Sequence, residues 1–235
     1  MLNKPNGNDF SLKMFSAYSF SITFVPVMEN EYKLELTQKI AEVFMRLGIR
    51  SVNMDDLARN LSVSKKTLYK YFKDKSDVVK QVTQTIFNTE EELIAGVVET
   101  SENAIDENIR IFEIANRMLK DLHPSVLFDL QKYYPESFQI FHDHKNKFIK
   151  SCVVANLERG IEEGLYRPNL NVKIIAGLYL TRIGIIWDEE LFPSGEFKHS
   201  EIHLEIIRYH IRGIASPEGL EYLSKRISQE FPNLL

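Results

Sequence analysis

The chain has little cysteine, no long apolar run and none of the short motifs that carry enzyme chemistry. Its 235 residues include one cysteine, Cys152. This excludes an intramolecular disulfide and a cysteine-cluster zinc site, and it favours a reducing, cytoplasmic setting. No stretch of about 20 apolar residues occurs, so we expect no spanning helix and no membrane partner. Without a glycine-rich phosphate loop, a nucleophile elbow or an HExxH motif, we predict no catalytic site, no cofactor and no enzyme.

A metal site is also not predicted, although "FHDHK" (141–145) brings His142, Asp143 and His144 together in sequence. Side chains two residues apart on a helix diverge by about 200°, because each residue turns the helix by about 100°. The two histidines therefore cannot hold one ion from a single helix.

Charge is distributed unevenly along the chain. The net charge is −4, but residues 59–80 carry seven Lys or Arg against two Asp, whereas residues 83–235 carry 16 basic and 24 acidic residues. The N-terminal part up to residue 80, called the head below, thus contains a basic segment, and the part that follows is acidic. This division suggests two roles in one chain, in which the head binds an anion.

The first 28 residues fit no clear structural class. "SLKMFSAYSFSITFVPVMEN" (11–30) is apolar and aromatic, but serines interrupt it and no small-residue cleavage site follows. A secretory signal, an N-terminal arm or edge strand, and a start site placed too early all remain open. Met28 stands just before the first clear helical pattern. We therefore expect Met28 to be the native start and residues 1–28 to be an extension.

Residues 29–80 read as short helices separated by capping residues. A first helix over about 32–47 ends at Gly48, and Asn53, Ser64 and Asp74 each stand where a helix would begin. Two short helices joined by "LSVS" are typical of a helix-turn-helix, in which the second helix contacts DNA. The pattern therefore predicts a three-helix DNA-binding domain over 29–80.

The face of this second helix that carries DNA-contacting groups can be predicted from its spacing. Leu68 and Phe72 are four residues apart and point to the core. The side chains on the other face are lysines for phosphates, and hydroxyls and rings for phosphates, sugars or bases. Residues at the entries of neighbouring helices add phosphate-binding groups. The candidate DNA-binding residues are Ser51, Asn53, Ser64, Lys65, Lys66, Thr67, Tyr69, Lys70, Tyr71 and Lys75.

The segment "AEVFMRLGIRSVNMDDLARNLSVSKKTLYKYFKDKSDVV" resembles the DNA-binding domain of TetR-type (tetracycline-repressor-like) transcriptional regulators. The resemblance covers about a fifth of the chain. Lys66 stands where the family often has glycine, and Tyr71 where it often has histidine. The resemblance implies that Lys65, Thr67 and Tyr69, together with Tyr71 and Lys75, touch DNA. It also implies a two-fold dimer that reads a near-palindromic operator and a small-molecule effector that regulates it, most often as a repressor.

The rest of the chain, 81–235, reads as helical throughout, so the predicted fold class is all-α, with an effector-binding and dimerisation domain after the head. One long helix is expected over 136–163. Segments 170–190 and 199–215 are apolar on nearly all sides. A helix that is apolar all round must be buried on both faces. These two segments therefore predict a homodimer interface, with a larger monomer core as the alternative.

An effector pocket is expected in the middle of this domain. The candidates are mainly aromatic and aliphatic side chains, and Arg182 is the candidate polar anchor because a buried arginine requires an anionic partner. An internal ion pair, for instance to Glu113, is the alternative for Arg182. The candidate pocket residues are Met118, Leu127, Phe128, Tyr133, Tyr134, Phe138, Phe141, Phe148, Tyr179, Arg182, Ile183 and Trp187.

Two other functions remain open from the sequence. The chain could bind DNA without sequence preference and without an effector, or the helical domain could house an enzyme pocket. Nothing in the sequence favours the enzyme, and equal affinity for random and selected DNA would support the first alternative.

Overall fold

The computed structural model describes residues 26–120 and 122–230, and most of these are helical. The described residues divide into two units at Leu36, one containing the helical segment 26–35 and the other the described residues from Leu36 onward. The all-α prediction is confirmed, since the described residues pair as β-structure only at an isolated bridge between Tyr166 and Ala215. Within the described residues, every helix is too short or too polar to traverse a bilayer. The expected extension, residues 1–28, lies almost wholly outside the described residues, and the division near residue 80 stays a prediction.

Four helices form the described N-terminal part, from residue 26 to residue 100: α1 (Pro26–Leu47), α2 (Met54–Asn60), α3 (Lys65–Tyr71) and α4 (Lys75–Thr100). The three predicted caps are confirmed. Asn53 accepts hydrogen bonds from the first turn of α2, Ser64 Oγ accepts one from the N–H of Thr67 at 3.0 Å, and Asp74 accepts one from the N–H of Asp77 at 2.9 Å. Each cap satisfies amide groups that a helix start leaves unpaired, so the helix boundaries are fixed locally.

The turn between α2 and α3 is tight. Ser62 adopts a positive φ of 56°, and the N–H of Val63 donates to the carbonyl of Ala58 at 3.0 Å. Leu57 of α2 and Leu68 of α3 are then fully buried in one apolar cluster. This packing fixes the angle between the two helices, so the opposite face of α3 points outward.

In the rest of the described chain seven α-helices follow: α5 (Ala104–Lys120), α6 (Ser125–Tyr133), α7 (Pro135–Asp143), α8 (Lys150–Glu162), α9 (Val172–Ile185), α10 (His199–Ile214) and α11 (Pro217–Glu230). A six-residue π-helix, His144–Ile149, lies between α7 and α8. The single helix expected over 136–163 is thus wrong in its middle. A π-helix has more residues per turn than an α-helix but continues in the same direction. The spacing of apolar residues alone does not reveal it.

A second apolar cluster joins α5, α8, α9, α10 and α11. Two buried acids of α5 are paired at its edge: Glu107 lies 2.9 Å from Arg159, and Asp106 lies 2.9 Å from Arg226. Since a buried charge is tolerated only with a partner, these pairs specify how α5 meets α8 and α11.

Candidate DNA-contacting face and ligand cavity

The outer face of α3 presents basic and aromatic side chains to solvent. Lys65, Lys66, Tyr69 and Lys70 are exposed, whereas Leu68 between them is fully buried. The predicted division of this helix into a core side and an outer side is therefore present in the structure. Contact of these side chains with DNA stays a prediction.

Thr67 and Tyr71 lie on the same helix but are half-buried. The hydroxyls of Ser64 and Thr67 are 2.7 Å apart, and the Lys70 ammonium lies 5.1 Å from the centre of the Tyr71 ring. Tyr71 also packs against the apolar cluster of the N-terminal helices. These contacts restrict the rotamers of both side chains, which is the condition for a specific contact in a DNA groove.

Lys65 has an internal acid partner. Its ammonium lies 2.8 Å from Asp55 Oδ1, and both side chains are largely exposed. The hydrogen bond and charge of Asp55 raise the pKa of Lys65. A DNA phosphate would compete with Asp55 for this ammonium, so Lys65 contributes less net charge to an anion than Lys66 does.

The remaining predicted DNA contacts lie at helix entries. Ser51 Oγ donates to the carbonyl of Leu47, and Asn53 uses its carbonyl oxygen as the cap of α2. The Lys75 ammonium donates to the carbonyl of Arg50 at 3.3 Å, and burial lowers the pKa of Lys75. The ammonium of Lys75 is therefore directed toward the protein in this structure.

A cavity of about 280 Å³ lies beneath these N-terminal helices. Its wall is mostly apolar and includes side chains from α1, α4, α5, α6, α9 and α10. Seven of the predicted pocket residues line it: Met118, Leu127, Phe141, Tyr179, Arg182, Ile183 and Trp187. Their role in binding an effector stays a prediction.

Five predicted pocket residues lie outside the cavity wall: Phe128, Tyr133, Tyr134, Phe138 and Phe148. Phe128 is 56% exposed, and Tyr133 lies beneath the guanidinium of an arginine that precedes α2. Tyr134 and Phe138 pack against the N-terminal apolar cluster, and Phe148 stacks on a histidine ring. These rings point in different directions around their helices. Most of them face the N-terminal helices or solvent rather than the cavity.

His144 was considered in the sequence only as a metal ligand, but it lies in the cavity wall. Its Nε2 is 3.0 Å from Glu90 and its Nδ1 is 3.1 Å from Glu91, and its ring stacks on Phe87 at 4.3 Å. Burial lowers the pKa of His144, but the two carboxylates outweigh it, so the net pKa is raised. Among the residues that the structure describes, no three metal-ligating side chains converge on one point.

Among the described residues, three buried polar atoms of the cavity wall have neither a hydrogen-bond nor an ion-pair partner: Arg182 Nη1, His203 Nδ1 and His210 Nδ1. Burial lowers the pKa of His203 to about 4 and, together with the charge of Arg182, that of His210 to about 3. Neither histidine is among the pocket residues predicted from the sequence. Their seven-residue spacing on one helix, which places them on the same face, was the available signal.

The head is joined to α6 by polar contacts that the sequence analysis also missed. The backbone N–H of Arg50 donates to Asp129 Oδ2 at 2.9 Å, and the N–H of His123 donates to the carbonyl of Met45 at 2.6 Å. Asp129 also accepts a hydrogen bond from Ser125 at 3.1 Å. α6 and the residues just before it are thus hydrogen-bonded to the end of α1 and to the chain that follows α1.

The amino-acid sequence was compared with protein families and with known proteins. Residues 36–82 match the model of the family described as "Bacterial regulatory proteins, tetR family". The HTH-type transcriptional repressor KstR2 of Mycolicibacterium smegmatis is 21% identical over 190 residues, which cover 79% of this chain and 91% of that protein.

Solved structures show the same fold at low identity. A transcriptional regulator FadR from Bacillus subtilis, in complex with stearoyl-CoA, has a TM-score of 0.59 at 15% identity over 77% of this chain and 98% of its own. A regulator from Saccharomonospora viridis, in complex with choline, has a TM-score of 0.65 at 13% identity over 80% of this chain and 99% of its own. One of these ligands carries several negative charges and the other a positive charge, so the relatives do not define a common ligand.

Proposed function

Because this chain is a TetR-family transcriptional regulator, we propose that it represses genes by binding a near-palindromic operator as a homodimer, and that a small-molecule effector in the cavity releases it. Its partners are then double-stranded DNA, a second copy of itself and the effector, and its place of action is the cytoplasm. The exposed lysines of α3 supply phosphate contacts, and Thr67 and Tyr71 supply contacts that depend on the base sequence.

The observation that carries this proposal is that helices of the head and helices of the C-terminal part both line the cavity. Phe44 and Met45 of α1 and Ile49 after it line the cavity together with residues of α9 and α10, such as Ile183 and Ile207. A ligand in this space would touch the head directly. Because cores pack densely, side chains displaced by a ligand must move the helices that carry them.

The release mechanism is a shift between two populations. An effector that binds better to a conformation with the heads wrongly spaced for DNA will favour that conformation. A change from almost fully bound to almost fully free requires about 5.5 kcal/mol of differential affinity. The hydrogen bond between Arg50 and Asp129 lies on the path by which movement of α6 would reach the head.

The homodimer is supported by an uncovered apolar face. On α9, Ile174, Leu178 and Ile185 recur on one side of the helix and are exposed, with Leu178 51% exposed. Tyr209 on α10 is 78% exposed. An exposed apolar stripe on two adjacent helices is typical of an interface between subunits. In a two-fold dimer the two α3 helices would enter successive turns of the major groove.

The experiment pairs Leu178→Glu with Leu220→Glu, a control at a similarly exposed leucine of α11 that is 42% exposed. Sedimentation gives the oligomeric state, and retention of genomic fragments that bind the wild-type protein gives DNA binding. We expect Leu178→Glu to be monomeric and to lose the fragments, because a buried unpaired carboxylate would be placed in the interface. A dimeric, DNA-binding Leu178→Glu variant, or equal losses in both variants, would contradict the proposal.

A further inference from the structure

The cavity contains a cation without an acid. Arg182 Nη1 is buried and has no hydrogen-bond partner, and within the described part of the chain no carboxylate lies within ion-pair distance of its guanidinium. The ion pair to Glu113 that the sequence left open is therefore absent here. Burial lowers the pKa of Arg182, but an arginine stays protonated in proteins. The side chain as a whole is half-buried, so the unmet demand lies at the buried Nη1. A polar group without a partner is costly in such a place, and an anion bound beside it would remove much of that cost.

The acid that lines the cavity is already engaged. Glu90 faces the cavity but lies 3.0 Å from His144, whose raised pKa reflects this pairing and that with Glu91. A cationic ligand would find this carboxylate occupied and would be repelled by Arg182. The unsatisfied electrostatics of the cavity therefore favour a negative ligand over a positive one.

The two histidines add hydrogen-bonding capacity without adding charge. His210 packs edge-on against Tyr179 at 5.0 Å, and His203 packs against Phe112 at 4.8 Å. Because burial keeps both imidazoles neutral at pH 7, each can present an N–H or a lone pair at its unpartnered nitrogen. Arg182, which acts electrostatically on His210, is the only full charge of this trio. Lys145 also lines the wall, but among the described residues the buried cationic atom of this wall without a partner is Arg182 Nη1. One singly charged anion would satisfy that guanidinium.

Most of the remaining wall is hydrocarbon or aromatic, as at Met118, Leu127, Ile183 and Trp187. Such a surface binds an apolar body, while a single polar anchor fixes its orientation. From this combination we propose that the effector is an apolar small molecule with one anionic group of the carboxylate class, and that Arg182 binds the anion. This inference rests on the proposed function, in which the cavity is the effector site.

The first test uses ligands with one tail and three head groups: decanoate, 1-decanol and decylammonium. Trp187 is the sole tryptophan and lines the cavity, so its fluorescence reports occupancy without DNA. We expect decanoate to bind at least about tenfold more tightly than decanol, because a charge-assisted hydrogen bond replaces an unpaired cation. Decylammonium should bind most weakly. Equal or tighter binding of decanol or decylammonium would overturn the inference, as would no binding by carboxylates from octanoate to tetradecanoate.

The second test substitutes the anchor. Arg182→Met should lower the affinity for decanoate by about tenfold or more and leave the affinity for decanol unchanged. Arg182→Lys should keep part of the preference for decanoate over decanol. Lys145→Gln is the matched control, because Lys145 is another basic residue in the wall. Full decanoate preference in Arg182→Met, or loss of it in Lys145→Gln alone, would assign the anion to another group. The comparison of head groups in the wild-type protein decides the charge class even if the Arg182 variants do not fold.

Release of DNA is measured separately, by adding the same ligands to protein bound to its selected fragments. Preferential binding of decanoate without release of DNA would contradict the effector mechanism and leave the anion site standing. Release by decylammonium or decanol, with no advantage for decanoate, would support the mechanism and overturn the anion site.

Discussion

Asp129 provides a quantitative test of how the head is joined to the rest of the protein. Its side chain is almost fully buried at 4% exposure, and Oδ2 accepts hydrogen bonds from the Arg50 N–H at 2.9 Å and from Ser125 at 3.1 Å. Asp129→Ala removes a charged acceptor and leaves a backbone donor without its partner. Since a hydrogen bond to a charged group contributes about 1.5–3 kcal/mol, we expect the free energy of unfolding to fall by about 2 kcal/mol.

Urea unfolding measures this change as a shift in the midpoint at constant slope. Asp129→Asn retains an acceptor oxygen but loses the charge. Its free energy of unfolding should lie between those of the wild-type protein and Asp129→Ala, about 1 kcal/mol below the wild-type value. Asp143→Ala is the control: Asp143 also has two hydrogen-bonded neighbours, Gln139 and Lys147, but its carboxylate is exposed. It should unfold like the wild-type protein. If Asp129→Ala and Asp143→Ala unfold at the same urea concentration, the contact between Asp129 and Arg50 does not stabilise the protein.

Three further predictions concern packing, pH and DNA contact. A Cβ on Gly160 would lie 2.0 Å from the Tyr166 ring. Gly160→Ala should therefore lower the free energy of unfolding by about 1–3 kcal/mol. Gly96 has open space around it, so Gly96→Ala should raise the free energy of unfolding by about 0.5–1 kcal/mol. The pKa of His203 is about 4 when folded and 6.5 when unfolded; the unfolded chain therefore takes up the proton first, and stability is lost as the pH falls from about 6.5 towards 4. His203→Phe should lose less stability than the wild-type protein between pH 8 and pH 5, and equal losses would contradict the assignment. Tyr71→Phe keeps the packed ring and removes the hydroxyl, so DNA affinity should fall about three- to tenfold while urea unfolding is unchanged; unchanged affinity would show that the hydroxyl contacts no DNA.

The N-terminal helices could be predicted from the sequence because their signals are local. Asn53, Ser64 and Asp74 each cap the helix that follows them, and a cap depends on residues only two or three positions away. The core and outer sides of α3 follow from the spacing of Leu68 and Phe72. Arg182 could be singled out as an anchor because a buried arginine on an apolar helix requires an anionic partner.

What could not be predicted depends on which elements pack against each other. Phe128 and Tyr133 were expected in the cavity, but α6 meets the head on one side and solvent on another, and no local pattern reports this. The hydrogen bond from Arg50 to Asp129 joins residues 79 positions apart. The π-turn from His144 onward rotates the residues that follow it relative to a regular helix.

The proposed function requires two copies of α3 to read two halves of one DNA site. Footprinting of genomic fragments selected on the purified protein, at about 0.15 M salt where non-specific phosphate contacts are already weakened, examines this requirement. We expect a protected near-palindrome whose half-sites lie about one helical turn, 10–10.5 base pairs, apart. Protection with no enriched sequence would contradict this expectation and indicate a protein that binds DNA phosphates without reading a sequence. Protection of a single half-site would contradict the dimeric arrangement.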